Sequence, residues 1–270
     1  MHPLKAIIFD VDGTLANTEE THRQSFNSAF TEFGLGYQWS ELEYADLLSI
    51  SGGKERITAF LKAREFRHKS ELELRDFALH LHQRKSEIYR ENLIAGHVGL
   101  RNGVMRLINE AKQKDIKLGI ATATSRSNVE TLLQNNLGKD ALTQFDAVVT
   151  SDIIKDKKPS PAVYQFATAE LGLTPETCIA IEDTTNGNKA ARAAGLKTVI
   201  TTHAFTIDND FTGASLIINQ LGEPDKPFSV ISGNSFGASY VDICLLINLI
   251  NEQENEAAEV WPENVVRIAK

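Results

Sequence analysis

Short runs of β-branched and other apolar residues recur along the chain. They lie at Ala6-Ile7-Ile8-Phe9, Leu118-Gly119-Ile120-Ala121, Ala147-Val148-Val149, Ile179-Ala180-Ile181, Thr198-Val199-Ile200-Thr201 and Leu216-Ile217-Ile218. Each is apolar at successive positions, which marks a parallel strand buried on both faces. Between the runs, apolar residues return every third or fourth position, as in Val104, Leu107, Ile108 and Ala111, in Val129, Leu132 and Leu133, and in Val163, Phe166, Ala167 and Leu171. Such spacing gives a helix with one core-facing stripe. Alternating strand and helix predicts an α/β fold built on a doubly wound parallel sheet.

One interval breaks the alternation. From Asn17 to Leu93 no strand pattern appears, whereas apolar residues repeat at helical spacing in Ile57, Phe60 and Leu61 and in Leu74, Phe77, Ala78, Leu81 and Ile88. The expectation is a helical insertion at 17–93 within a core made of 1–16 and 94–250. Asn17 and Glu20 are placed as a capping pair at the start of its first helix. Gly96 and Gly99 permit a turn where the chain returns to the core. From Asn251 the sequence turns polar, with Glu252, Glu254, Glu256 and Glu259, and 251–270 reads as a solvated helix or frayed tail.

Composition narrows the function. A chain of 270 residues, 42% hydrophobic, fills a core without disulfides or structural metals. Cys178 and Cys244 sit in apolar runs and read as buried thiols in a reducing compartment. The net charge is −8, and the longest basic cluster is Lys155-Asp156-Lys157-Lys158, so neither a nucleic-acid footprint nor a membrane-surface patch is expected. The few apolar residues before Asp10 are too short a run for a signal peptide. A cytoplasmic protein acting on a small polar metabolite, with a monomer favoured, is the expectation.

Candidate chemistry clusters at strand ends. Asp10-Val11-Asp12-Gly13-Thr14 follows the first strand, where side chains two apart point the same way and open α/β sheets place their ligands. Two carboxylates so close call for a cation such as Mg²⁺, or for a shared proton between an acid and a base. Thr122, followed by Ala123, Thr124 and Ser125, ends the next strand; its hydroxyl and the nearby backbone N–H groups suit phosphoryl oxygens, and equally suit a plain helix cap. Lys158, held by Pro159, offers a fixed positive charge. Glu182-Asp183 closes a third strand with the carboxylates that a hard cation prefers, or with caps for the next helix.

Together these four motifs resemble the haloacid dehalogenase superfamily of phosphohydrolases, over Lys5 to Ala16 and roughly Gly99 to Ile218. The resemblance implies a Rossmann-like core with an inserted all-helical cap. Thr18-Glu19-Glu20-Thr21-His22-Arg23, Ser51-Gly52-Gly53-Lys54-Glu55-Arg56, Ile181-Glu182-Asp183-Thr184, and the run Leu221-Gly222-Glu223-Pro224-Asp225-Lys226-Pro227-Phe228 with Tyr240-Val241-Asp242 further resemble CbbY-type sugar-phosphate phosphatases, a group similar to β-phosphoglucomutase.

The resemblance implies that Asp10 is a nucleophile forming an aspartyl-phosphate and that Asp12 is the acid and base, protonated at the start while Asp10 is ionised. Mg²⁺ is then held by Asp10, the Asp12 backbone carbonyl and Asp183, with Glu182 a direct or outer partner, and Thr122 and Lys158 bind the phosphoryl group. Gly52, Gly53 and Lys54 form a substrate loop near Arg56, with Lys54 and Arg56 available for a second phosphate, while Glu19 and His22 line the cleft. His68, His80, His82, His97 and His203 show no ligand spacing. The implied substrate is a small sugar phosphate such as xylulose 1,5-bisphosphate. The alternatives are a β-phosphoglucomutase-like isomerase and a non-catalytic metabolite sensor.

Overall fold

The computed structural model describes residues 3–50, 52–66 and 70–252. The expectation of a polar tail therefore lies almost wholly outside the described residues, as does His68. Six parallel strands, β1 (Ala6–Phe9), β2 (Lys117–Ala121), β3 (Ala147–Val149), β4 (Cys178–Glu182), β5 (Lys197–Thr201) and β6 (Leu216–Ile218), form one sheet with β7 (Val230–Gly233), in the order β3-β2-β1-β4-β5-β6-β7. The first six are the apolar runs of the sequence, each within one residue at either end. Strand β7 pairs antiparallel to β6 across a register shift, and all its residues are exposed. It escaped the apolar pattern because an edge strand with two wet faces carries none.

Alternate residues of each central strand serve opposite faces. Ile7 and Phe9 enter one apolar cluster with Leu107, Leu132 and Leu246, while Ala6 and Ile8 enter another with Tyr164, Ala167, Ala190 and Ala191. Helices α5 (Val104–Gln113), α6 (Arg126–Leu137) and α9 (Ile243–Asn251) thus cover the first face, and α7 (Ala162–Leu171) and α8 (Thr185–Ala193) cover the second. In α7 the buried stripe runs through Val163, Tyr164, Ala167 and Leu171, and Phe166 is exposed. The expected placement of Phe166 fails because the stripe centres nearer Tyr164, leaving Phe166 well off it at 100° per residue. Cys178 is buried as expected, but Cys244 is exposed, and both thiols are free.

Between β1 and α5 stand α1 (Glu19–Glu32), α2 (Glu41–Leu47), α3 (Gly53–Ala63) and α4 (Glu71–Ile94). They share their own aromatic core, in which Trp39 meets Phe30 edge-on at 4.9 Å and Phe60 at 5.1 Å. Offset and edge-on ring pairs hold more than their buried area alone. Ser70 and Glu73 make a reciprocal capping box at the start of α4. Helix α1 differs from expectation: Thr18, not Asn17, occupies its N-cap, in helical geometry and without a side-chain cap bond. The preceding turn sets this, since the Thr18 N–H is already bound to the carbonyl of Ala16.

Candidate active site

The site grows from the end of β1. The Asp10 N–H still bonds the Ile181 carbonyl at 3.0 Å, so the ladder carries Asp10 to the carboxyl edge of the sheet before the chain turns. The turn closes through Gly13 N–H to Ala16 O at 2.8 Å, with Gly13 at φ +84°. A Cβ on Gly13 would lie 2.1 Å from Asp183 Oδ2, so this position needs glycine for both conformation and space. Arg101 ties the turn to the neighbouring strand ends, donating to the carbonyls of Gly13, Thr201, Thr202 and Asn219.

Strands β1, β2 and β4 bring the charged groups together. Lys158 Nζ donates to Asp10 Oδ1 at 2.6 Å, to the Ala121 carbonyl at 2.9 Å and to Glu182 Oε1 at 2.5 Å, and stands 5.1 Å over the Tyr164 ring. Tyr164 Oη also donates to Glu182 Oε1, at 2.6 Å, while Glu182 Oε2 accepts from the Asp183 N–H at 3.2 Å. Asp183 accepts from Thr14 Oγ1 at 3.1 Å and lies 2.9 Å from His203 Nε2. The His203 Nδ1 accepts from the Phe205 N–H at 3.3 Å, which leaves the proton on Nε2 to donate to Asp183.

Oxygens of Asp10, Glu182 and Asp183 lie within 4.8 Å of one another. Burial first, opposed by Lys158 and aided by the other two carboxylates, pushes the Asp10 carboxyl well above its ordinary range. Burial and Glu182 do the same to Asp183. Three buried carboxylates with one lysine among them make an all-oxygen set short of positive charge, and a hard divalent cation fits it on both counts. Glu182 has its oxygens committed to Lys158, Tyr164 and backbone, so it fits as an outer partner better than as a direct ligand.

Asp12 faces the other way, toward the helical insert. Its Oδ2 accepts from Thr124 Oγ1, its Oδ1 from Tyr89 Oη at 3.4 Å, and His22 Nε2 stands 3.7 Å from Oδ1. Burial alone would raise this carboxyl, but His22 and Thr124 outweigh it and hold Asp12 below the ordinary range. In the protein alone Asp10 is thus raised and Asp12 lowered, whereas the protonated Asp12 and ionised Asp10 that the resemblance implies belong to the metal-bound site. The reason is local: Asp10 shares its burial with two further carboxylates, and Asp12 with donors.

A cavity of about 860 Å³ opens between the sheet edge and the insert. Asp10, Asp12, Thr122, Ala123, Thr124, Lys158 and Asp183 line its floor, and Glu19, His22, Gly52, Gly53 and Arg56 line its roof. Lys54 is not on that wall; it is exposed and pairs with Glu55 at 3.6 Å. Arg56 is buried and committed to the helical insert itself, donating to Leu47 O at 2.9 Å, Ile50 O at 3.3 Å and Tyr44 Oη at 3.4 Å. The Tyr44 hydroxyl in turn donates to Glu19 at 2.7 Å.

Sequence reasoning missed Lys85, His82 and His203. Lys85 is 5% exposed, reaches His22 Nδ1 at 2.6 Å and stands 4.5 Å over the Phe26 ring. Its signal was readable: it is the one charged residue in the buried stripe Leu74, Ala78, Leu81, Lys85 and Ile88 of α4. His203 carried a weaker sign, its place directly beyond β5 at the ligand-binding edge. His82 carried none.

This arrangement defines a class. The haloacid dehalogenase-like hydrolase family matches residues 7–201, and the chain belongs to it; it is a phosphatase enzyme. Within that class it is similar to the protein CbbY of Rhodobacter capsulatus, at 44% identity over 81% of this chain and 94% of that one. It is likewise similar to the plasmid-encoded CbbY of Cupriavidus necator, at 41% identity over 83% of this chain and 88% of that one. The crystal structure of a mutant CbbY from Rhodobacter sphaeroides in complex with xylulose-(1,5)bisphosphate matches with a TM-score of 0.69 and 39% identity, over 80% of this chain and 94% of that chain.

Proposed function

We propose that the protein is a Mg²⁺-dependent sugar-phosphate phosphatase that works through a phosphoaspartate at Asp10, with xylulose 1,5-bisphosphate as the first candidate substrate. The observation that carries this reading is the convergence of Asp10, Asp183 and Lys158 on the cavity floor with Asp12 beside them. The likeness to CbbY, one form of which was crystallised with xylulose-(1,5)bisphosphate, supports the substrate. A reducing, cytoplasmic setting agrees with the two free thiols.

Asp10, the Asp12 carbonyl and Asp183 would hold the ion, with Glu182 behind them; the ion would neutralise the carboxylates and draw charge from the phosphoryl oxygens. Asp10 attacks phosphorus as the bond from phosphorus to the sugar oxygen breaks, and Asp12 gives its proton to that leaving oxygen. The anionic phosphoryl group arriving beside Asp12 raises its carboxyl toward the protonated form this step needs. Asp12 then takes a proton from water, whose oxygen attacks phosphorus and frees Asp10 with release of inorganic phosphate. Lys158 and Thr122 bind the equatorial oxygens throughout. Residues 17–93 act as a cap over the core of 1–16 and 94–250, excluding bulk water from the phosphoaspartate.

The test is phosphate release with Mg²⁺ across pentose and hexose mono- and bisphosphates. Stoichiometric phosphate from a sugar phosphate, abolished in Asp10→Asn with the fold retained, is the expected result. Interconversion of sugar phosphates without phosphate release would replace this reading with a mutase, and inertness towards all of them would leave a sensor.

A further inference from the structure

The turn beyond β5 reaches Asp183 on one side and the helical insert on the other. The Thr202 N–H still bonds the Ile218 carbonyl at 2.8 Å, and the His203 carbonyl then accepts from the Thr206 N–H at 2.9 Å and the Ile207 N–H at 3.0 Å. The His203 N–H donates back to Thr206 Oγ1 at 3.1 Å. One end of the imidazole is built into this turn, through Nδ1 and the Phe205 N–H, and the other end projects to Asp183.

The two side chains of that contact are 7% and 2% exposed, and a hydrogen bond so buried is stronger than the same bond in water. His203 holds Oδ2 of Asp183 while Thr14 holds Oδ1, so donors from two separate segments fix the plane of the carboxylate. An ionised carboxylate accepts at about four positions, and those left over remain for a cation. The contact sits in the crook of the turn that follows Asp12. A Cβ on Gly13 would come within 2.1 Å of Asp183 Oδ2 and 2.8 Å of His203 Nε2.

Phe205 carries the same turn into the insert. Its ring is buried in the aromatic cluster, edge-on to Tyr44 at 5.4 Å, and among the described residues of that cluster it alone comes from outside 17–93. Its own N–H is the group that fixes His203 Nδ1. The packing of Phe205 and the orientation of the imidazole therefore belong to one short piece of chain.

We infer that His203 is a positioning residue that holds Asp183 in place for the divalent cation, and that Phe205 makes this hold depend on the seating of the helical insert. The inference rests on the metal-dependent reading above and adds to it a link between cation binding and the insert. Loss of a donor behind a metal ligand lowers metal affinity by about ten- to a hundredfold.

The experiment is calorimetric titration of the full chain with Mg²⁺, with far-ultraviolet circular dichroism to confirm the fold of each variant. His203→Asn, whose amide nitrogen takes the place of Nδ1 and stops short of Asp183, is expected to weaken Mg²⁺ about tenfold. His203→Gln, whose amide reaches as far as Nε2, should recover most of that loss. Phe205→Leu stays apolar but gives up the ring contact with Tyr44, and should show a smaller loss. Because it acts through the imidazole, it should add nothing in the His203→Asn background. Unchanged Mg²⁺ affinity in His203→Asn, a glutamine no better than asparagine, or additive losses in the double variant would overturn the inference. No Mg²⁺ binding by the unaltered protein would remove the metal from the proposed function and this inference with it. Mg²⁺ binding that follows the expected pattern, with no turnover of any sugar phosphate, would sink the phosphatase reading alone.

Discussion

Lys85 is a cation placed where a folded protein gains least from it. The residue is 5% exposed, no carboxylate lies within ion-pair distance of its ammonium among the described residues, and its partners are His22 Nδ1 and the faces of Phe26 and Tyr89. Burial, only partly offset by Glu19 and Asp12, brings its pKa from the ordinary 10.5 down to about 7. At about 1.4 kcal/mol per pH unit, that difference corresponds to roughly 5 kcal/mol of stability forgone at low pH, as an upper bound. The sign follows from proton binding. Below pH 7 the lysine is charged in both states and the full penalty applies. Between pH 7 and 10.5 the unfolded chain binds a proton that the folded one does not, so the penalty fades as pH rises. Lys85→Met, which preserves length and volume, should therefore stabilise the helical insert by several kcal/mol at pH 6 and by little at pH 10. The assay is urea unfolding followed by the fluorescence of Trp39, buried in the core of the helical insert, in a chain carrying Trp261→Phe. Equal stabilisation at both pH values would refute the reasoning. The same variant should lose activity, because the Asp12–His22–Lys85 chain is broken.

Two further outcomes follow from the floor of the site. A Cβ on Gly187 would fall 1.9 Å from Glu182 Oε2, so Gly187→Ala should push Glu182 off Lys158; the Mg²⁺ concentration for half-maximal activity should rise by more than the substrate KM, as titrated by phosphate release. Tyr164→Phe removes a buried donor to Glu182 and leaves the carboxylate with one partner fewer, at a cost of about 1–3 kcal/mol in chemical denaturation; an unchanged unfolding midpoint would show that the bond contributes nothing.

The fold and much of the site were legible in the chain, for reasons particular residues make plain. The strands of the sheet centre announce themselves because Ile7, Ile8, Ile179 and Ile181 are buried on both faces, a condition that only unbroken apolar runs satisfy. Asp10, Asp12, Thr122 and Asp183 could be read because each lies at or just past the end of a strand, and Lys158 because it precedes Pro159 in the loop that leads to α7. Edge strand β7, the exposed Cys244 and Phe166, and the cap of α1 were misjudged or missed because solvent and a preceding turn, not periodicity, decide them.

What the sequence by itself determined is the architecture and the identity of the groups at the carboxyl edge of the sheet, since periodicity, turn chemistry and strand order are properties of neighbouring residues. Only the tertiary structure decided their electrostatic states and the make-up of the roof. Asp10 is raised and Asp12 lowered by groups from as far away as Glu182 and His22, Arg56 is consumed by Leu47, Ile50 and Tyr44, and Lys54 falls outside the cavity. Lys85 and His203 meet their partners across 63 and 20 residues of chain. Burial and charge act through space, and no reading along the chain measures the distance between helix α4 and the turn at Asp12.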